Sequence, residues 1–558
     1  MSLYRKLALP ALLALIPAMT LSSCVASIKP DESGISEVPT ESLIRIGMAK
    51  VKITPTEDVY LWGYENRTPN VLCSYPDDIL DDIFARILVV EIADKRIIYV
   101  HAELCLLEEG RSCSANFRRD IADINDALED DVILLSAHNH QAQDQLSKEQ
   151  EAAINEAVGL AVSRLEPAVV GSAIMPNPYG VSRSPSYGID YDAPYDNIMT
   201  VLRFDNAETG LPIGMVYSYP VHNTMLGNGG ASSRNLLTCE FTGMATKYIE
   251  SQLTEEQSPD FVAIHINGAT GNAGPLFQGN FNLPYQSIKR AGAELGQFVY
   301  ECYDRIAADK YYTTAMTLFD VVRLETNQED MSHKDYFGAS RYKELKVYAS
   351  AFGDVAVVGV SAETFTITGA HLRAESPYRY TLNTGCVNGW LGYIPTRETF
   401  ESGRVEQECQ PWKTPFTAET EQIVYEGVLG ILCRLAEVRV KDRILPESAP
   451  PILDGEKSNY VFDFNQMVKA DKVVLSFEQK SRTDCPADFE LSLYDSEGNE
   501  VYHQVFLDNS VNYLGVFTDD ISFSRAEILV SRTYLDRNPV DGLPITLYAL
   551  QFEPAPMS

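Results

Sequence analysis

The sequence predicts an α/β class chain: a layered domain with mixed β-sheets and flanking helices, followed by a small all-β, immunoglobulin-like sandwich. Three observations carry this. From residue 43 to about 440, β-branched apolar runs alternate with long amphipathic segments. A connector crowded with Pro446, Pro450 and Pro451 follows, and beyond it only short strand-like runs occur. The chain has 558 residues, too many for one domain of ordinary size. Hydrophobic content of 45% is enough for a core in each part.

The N-terminus reads as a targeting segment. Arg5 and Lys6 precede an apolar run from Leu7 to Leu21, and Leu21-Ser22-Ser23-Cys24 has the pattern of a bacterial lipobox. Residues 1–24 are therefore expected to be a lipoprotein signal, with lipidation at Cys24. The alternative is a soluble-secretion signal with a chance cysteine. Residues 25–42, rich in Asp, Ser, Pro and Glu, read as a flexible tether. The expected location is a bacterial envelope, periplasm or outer membrane, with the membrane reached through the lipid anchor. Ten cysteines occur, and nine remain after Cys24, so export permits disulfides but leaves one thiol over.

In the first domain, strands are expected at Arg45–Ile53, Ala85–Ile92, Arg96–Ala102, Val132–Ala137, Val169–Met175, Met199–Phe204, Ile213–Tyr219, Asp260–Ile266, Ala315–Arg323 and Val355–Val360. Helices are expected at Gly110–Ala127, Ser147–Arg164, Glu240–Leu253, Tyr285–Ala307 and Thr417–Val438, where apolar residues recur at three- and four-residue spacing. Residues 441–452 read as a linker and 453–558 as the sandwich. Its strands are expected at Tyr460–Phe464, Lys472–Gln479, Phe489–Tyr494, Val501–Phe506, Arg525–Ser531 and Thr546–Phe552.

Formal net charge is −33. Such a surface repels phosphate backbones and excludes nucleic acid as a partner; it also opposes adhesion to anionic headgroups. No protein partner is predicted.

The chemistry-bearing residues lie where apolar runs end. Val132–Ser136 runs into His138 and His140, and i, i+2 spacing on an extended segment puts both imidazoles on one face. The chain has eight histidines in all, so two placed this way suggest a metal site. Tyr217–Val221 ends at His222, Val355–Ala362 ends at Glu363, and Tyr393 sits in a glycine-rich turn. Strand ends converge at a sheet edge, so ligands far apart in sequence can share one ion. Each also has a structural reading: His138, His140 and His222 as turn histidines, Glu363 as a helix cap, Tyr393 as core.

In order and wording these segments resemble the neutral/alkaline (non-lysosomal) ceramidase family. Gly47-Met48-Ala49-Lys50-Val51-Lys52-Ile53-Thr54-Pro55 is similar to its opening strand, Trp62-Gly63-Tyr64 to its M-x-GY segment, and Asp82-Ile83-Phe84-Ala85-Arg86 to its D-x-L-x-AR segment. Ser136-Ala137-His138-Asn139-His140 resembles THTHSGP, Ser182-Arg183-Ser184-Pro185-Ser186-Tyr187 resembles NRSPxAY, and His222-Asn223-Thr224 resembles HATS. Ser361-Ala362-Glu363-Thr364-Phe365 resembles PGEF, and the turn around Tyr393 resembles xxYxTT. The resemblance runs from Leu43 to Val438. It implies Zn2+ held by His138, His222, Glu363 and Tyr393, with His140 as general base or proton shuttle and Arg183 as positive charge for substrate or oxyanion. Arg183 also has a structural reading, as a salt-bridge partner.

Two departures stand out. The family's GDxSP segment is Gly271-Asn272-Ala273-Gly274-Pro275 here, so its serine is replaced by Gly274 and its aspartate by Asn272. A family tyrosine twelve residues beyond the ligand tyrosine is Val405 here. The family's SGDYPG is Thr238-Cys239-Glu240-Phe241-Thr242-Gly243. The resemblance thus implies a zinc-dependent hydrolase, an amidase for an N-acyl, ceramide-like lipid or a related N-acylated small molecule, with a changed substrate-reading surface at Gly274, Asn272 and Val405. The alternatives are hydrolysis of a different ester or amide, glycan- or peptide-derived, and a non-catalytic ligand-binding lipoprotein.

Overall fold

Apolar β-branched runs become strands where both faces are covered, because such side chains fit a buried pleated surface. A computed structural model of the chain describes residues 42–63, 71–177, 180–184, 188–189, 196, 198–226, 235–253, 258, 260–275, 284–329, 334–401, 414–448, 450–454, 457–477, 486–507, 509, 513–519, 521–533, 543 and 545–555. Cys24 and the expected tether up to residue 41 lie outside the described residues.

Eight strands form one mixed sheet in the order Val262–Ile266, Pro212–Ser218, Ile198–Asn206, Glu166–Pro176, Arg45–Lys52, Phe84–Ile92, Lys95–Ala102, Val132–Ser136. The terminal pairs are parallel and the inner ones antiparallel. The two halves are joined by only two register pairs, Arg45 with Pro167 and Ile46 with Glu166. The sheet curls at this seam: His101 and His265, on strands far apart in the order, bring their rings to 6.2 Å.

A second sheet, Ala315–Glu325, Tyr342–Phe352, Val355–Val360 and Tyr380–Thr384, packs on the first. One buried cluster joins Ile46, Leu88, Tyr99 and Leu202 of the first to Phe352, Val355 and Leu382 of the second. Helices Phe117–Ile124 and Lys148–Ser163 cover one half of the first sheet's other face, and Glu240–Glu250 and Pro284–Arg305 cover the rest. Thr420–Leu435 covers the far face of the second sheet. The layers run helix, sheet, sheet, helix, which is the layered α/β arrangement the sequence predicts.

The local chemistry explains several boundaries. Ser147 accepts from Gln150 N–H while the Gln150 side chain accepts from Ser147 N–H, a capping box that starts the second helix one residue later. The helix expected from Gly110 begins only at Phe117. Gly110 sits at φ +78 in a turn closed by Cys113 N–H on the Glu108 carbonyl, which no helix continues. The strand Tyr342–Phe352 escapes the sequence reading because Lys343, Glu344 and Lys346 make its first half look like a polar loop; its last six residues are all buried.

The C-terminal part is a two-sheet sandwich. One sheet has the order Val438–Ile444, Ile545–Pro554, Lys472–Phe477, Tyr513–Phe517, and the other is built on Lys457–Lys469, Ser522–Thr533, Pro486–Tyr494 and Glu500–Phe506. The stretch 441–452, expected as a linker, supplies strand residues to the sandwich. Val438–Ile444 pairs with Ile545–Pro554, and Glu447–Ser448 pairs with Phe462 and Asp463. The prolines lie between these short strands rather than in an open tether.

The sandwich grips the helix Thr366–Glu375 of the first domain. Glu375 accepts from Arg443 Nε at 3.1 Å, Lys472 Nζ donates to the Ser376 carbonyl at 2.8 Å, and His371 stacks on Tyr425 at 4.3 Å and Tyr513 at 4.5 Å.

Candidate metal centre

Three chain segments deliver side chains to one buried point. Strand Val132–Ser136 ends, and His138 takes φ +52, which lets the chain turn at once. Asn139 holds the turn: its amide nitrogen donates to the carbonyls of Glu103 at 3.2 Å and Thr238 at 2.7 Å, and its oxygen accepts from Gln141 N–H at 2.8 Å. His138 and His140 flank this anchor with their Nε2 atoms 3.3 Å apart; the turn at His138, not the extended segment that the i, i+2 spacing predicts, brings them together. The backbone at Gly63 lies against the His140 ring; a Cβ there would be 2.5 Å from its Cγ.

His222 follows strand Pro212–Ser218. Its Nδ1 meets the Thr270 carbonyl at 2.6 Å and its backbone N–H donates to Ala273 O at 3.2 Å. That leaves Nε2 aimed at the site. Glu363 pairs in register with Tyr393, and its N–H donates to Gly392 O at 2.9 Å. Trp390 Nε1 donates to Glu363 Oε1 at 2.8 Å, which turns Oε2 toward the histidines.

The donor atoms form a nearly equilateral triangle. His138 Nε2 to His222 Nε2 is 3.2 Å, His138 Nε2 to Glu363 Oε2 is 3.3 Å, and His222 Nε2 to Glu363 Oε2 is 3.2 Å. Zinc bonds to such donors run 2.0–2.1 Å, and a tetrahedron on bonds of that length has edges of about 3.3–3.4 Å. Oε2 is buried and receives no hydrogen bond of good geometry, so it is an orphaned acceptor at the triangle's corner. The donor set, two imidazoles and a carboxylate, suits a divalent cation that takes nitrogen and oxygen ligands. His140 Nε2 stands 3.3 Å from His138 Nε2, an edge of the same length. Cys105 Sγ and Cys386 Sγ border the cluster, in the groups Cys105–His138–His140 and His138–Glu363–Cys386.

Burial opposes charge on both His138 and Glu363. The Glu363 carboxylate nevertheless holds His138 well above the usual imidazole range, and His138 with His222 holds Glu363 well below the usual carboxylate range.

No protein-family profile matches the chain, and no curated protein matches it in sequence. Solved structures do. Neutral ceramidase from Pseudomonas aeruginosa superposes with a TM-score of 0.57 at 16% identity, over 88% of this chain and 93% of that one. A ceramidase complexed with C2 gives 0.53 at 16% identity, over 88% and 93%. The chain has a ceramidase-like fold.

Within that fold, the remaining sequence-predicted residues separate. Gly274 lies on Ala273–Pro275, which pairs with Gly180–Ser184; Val181 is opposite Gly274 and Ser182 opposite Ala273. Arg183 follows Ser182 on the same strand, one step past the Ala273 pair and on the Asn272 side of it, while its side chain lies outside the described residues. The neighbouring Ala273 carbonyl accepts from His222 N–H, which ties this strand to the triangle. Asn272 supports the fold, since its Oδ1 accepts from Thr366 N–H at 2.9 Å and from Thr366 Oγ1 at 3.2 Å, at the start of the helix behind Glu363. The Tyr393 ring packs on Phe365, beside Glu363 in the ladder. Val405 lies outside the described residues. Sequence reasoning missed Trp390, Asn139, Cys105 and Cys386. Trp390 lies three residues before Tyr393, inside the same glycine-rich Asn388–Thr396 segment.

Seven cysteines lie among the described residues, Cys73, Cys105, Cys113, Cys239, Cys302, Cys386 and Cys433; all are buried and no disulfide joins them to one another. No helix among the described residues is long and apolar enough to cross a membrane.

Proposed function

We infer that the chain is a zinc-dependent hydrolase that opens the amide of an N-acylated compound, a ceramide-like lipid or a relative of it. The observation that carries this is the triangle of His138, His222 and Glu363 donors with edges of 3.2–3.3 Å. Its buried corner oxygen receives no hydrogen bond of good geometry. The ceramidase-like fold supports the same reading.

His138, His222 and Glu363 hold the ion, and Tyr393, next to Glu363 in the ladder, is the fourth protein donor. When bound, a zinc ion there supplies Lewis acidity toward a carbonyl and lowers the pKa of water. The chain's own residues do the rest. Trp390 fixes the rotamer of Glu363, and Thr270 fixes the ring of His222. His140, at the edge of the triangle, takes a proton from the attacking water and returns it to the leaving nitrogen. Arg183, on the strand beside Gly274, offers positive charge to the oxyanion that develops on the acyl oxygen. The protein works in the bacterial envelope, tethered through lipidated Cys24.

A second reading is favoured by one observation. Gly274 offers no hydroxyl where the resembling family has serine, so the group that reads substrate hydroxyls is absent. The same zinc chemistry then acts on a different ester or amide. Purified protein, its zinc content and chelator-reversible hydrolysis across N-acyl lipids, N-acylated sugars and simple esters test both. Zinc with activity on N-acyl lipids supports the first, and zinc with activity on the others the second. An absence of zinc in wild-type protein refutes both and favours a ligand-binding lipoprotein.

A further inference from the structure

The two histidines of the triangle differ in what their outer nitrogens meet. His222 Nδ1 has a carbonyl, Thr270 O, at 2.6 Å. His138 Nδ1 has two thiols, Cys386 Sγ at 3.8 Å and Cys105 Sγ at 4.0 Å. Among the described residues these sulfurs are its hydrogen-bond partners. A histidine that binds a cation through Nε2 carries its remaining proton on Nδ1, and that proton ordinarily goes to a carboxylate, a carbonyl or water. Here it meets sulfur.

The placement is built. Cys105 and His138 are each 2% exposed and Cys386 1%, so bulk water does not serve the N–H. The two cysteines come from opposite sides of strand Val132–Ser136. Cys105 is tied to it through its carbonyl, which accepts from Ser136 Oγ at 3.1 Å. Cys386 sits in a loop stitched to the same strand by Asn388, whose N–H donates to Leu134 O at 3.2 Å and whose Oδ1 accepts from Leu134 N–H at 2.7 Å. Cys386 N–H also donates to Ala362 O at 3.1 Å, one residue before Glu363. Both His138, at φ +52, and Cys386, at φ +57, hold the left-handed conformation that L side chains rarely adopt. Backbone strain at two facing residues of one site marks a geometry that the surroundings enforce.

We propose that Cys105 and Cys386 are the positioning residues of His138: their sulfurs jointly accept its outer N–H, and so fix the tautomer that leaves Nε2 open to a cation. This rests on the metal reading above. Sulfur is a weak acceptor, so His138 is the softer ligand and His222 the firmer one. Two acceptors share one proton, so either thiol partly covers for the other. The loss of both exceeds the sum of the single losses.

The test uses the full chain, with Cys105→Ala, Cys386→Ala, the double variant, and Cys302→Ala as a control. Cys302 is a buried thiol packed among residues of the Pro284–Arg305 helix core. Zinc affinity is read by competition with a chelating dye, and folding by thermal unfolding of the metal-free protein. Each single variant is expected to bind zinc a few-fold more weakly and the double variant roughly 10–100-fold more weakly, while Cys302→Ala binds like wild type. In zinc-loaded wild type, 15N spectra of the histidine rings are expected to place the His138 proton on Nδ1, and its N–H resonance to move in Cys386→Ala. Unchanged affinity in a folded double variant overturns the proposal, as does an equal loss in Cys302→Ala. If the double variant does not fold, the single variants decide: a His138 N–H resonance and a zinc affinity unchanged in both overturn the proposal alone. A proton on His138 Nε2 in zinc-loaded protein overturns the metal reading with it. Wild-type protein that binds no zinc overturns the metal reading itself.

Discussion

Replacing Trp390 with Phe removes one N–H from the candidate ligand Glu363 and keeps an aromatic ring in place. Trp390 Nε1 donates to Oε1 at 2.8 Å, and the opposite oxygen, Oε2, faces both histidines. Glu363 is 3% exposed, so water does not replace the lost donor freely. A hydrogen bond to an ionised acceptor contributes about 1.5–3 kcal/mol, which converts to a loss of roughly 10–150-fold in zinc affinity. The ring itself packs at 5.7 Å on Trp62 and 5.5 Å on Phe337, and a smaller ring loosens both. That packing loss lowers stability by about 1 kcal/mol and acts on the metal-free protein too. Two measurements separate the effects: the thermal midpoint of metal-free protein, and the zinc dissociation constant from chelator competition at neutral pH. The expected outcome is a small drop in midpoint with a large drop in affinity. A midpoint that falls while zinc affinity stays within about twofold of wild type would refute the orienting role and leave Trp390 as packing alone.

Other expectations follow from the same geometry. Arg86 is buried between Glu103, at 2.5 Å, and Glu250, at 3.0 Å, so Arg86→Met strands two buried carboxylates and is expected to cost about 3–5 kcal/mol, read from the denaturant midpoint. Gly63→Ala places a Cβ 2.5 Å from the His140 Cγ at φ +120; hydrolytic activity should fall much further than the melting temperature. Burial raises Glu240 to about 7 despite backbone N–H groups from Leu226 and Met225, so the folded form keeps a proton that the unfolded chain loses near 4.5. Stability from this group is present below pH 4.5 and is lost as pH rises through 7; Glu240→Gln should remove that slope, worth at most about 3 kcal/mol, in pH-dependent denaturation. In metal-free protein, the raised His138 contributes stability that is present below its unfolded value of 6.5 and lost as pH rises through its folded value. The depressed Glu363 contributes stability present above 4.5 and lost as pH falls through its folded value. Zinc must displace the His138 proton, so affinity should strengthen as pH rises, by up to about tenfold per unit.

What the sequence discloses here follows from where side chains sit on elements. His138, His222 and Glu363 each stand two to four residues past an apolar strand, so periodicity alone puts them at a sheet edge. Which edges meet is set by the curled sheet and by the second sheet packed on it, and no local pattern carries that. Trp390 illustrates the gap. Nothing in the sequence links its indole to Glu363, 27 residues earlier, which receives its N–H. Cys105 and Cys386 are harder still. In an exported chain a cysteine suggests a disulfide, whereas these two are buried thiols on either side of one histidine. The connector near Pro446 misleads for the opposite reason: prolines accumulate where short strands of the sandwich change direction, not where the chain is free.

The helix Thr366–Glu375 has its first turn bonded to Asn272, in the segment behind His222, and its last turn gripped by Arg443 and Lys472 of the sandwich. It is a shared beam with the candidate metal centre at one end and the second domain at the other. Two domains joined through such a beam do not melt independently. Calorimetry of the protein should therefore give one cooperative endotherm, and a bound ion at Glu363 should raise the temperature at which the distant sandwich unfolds.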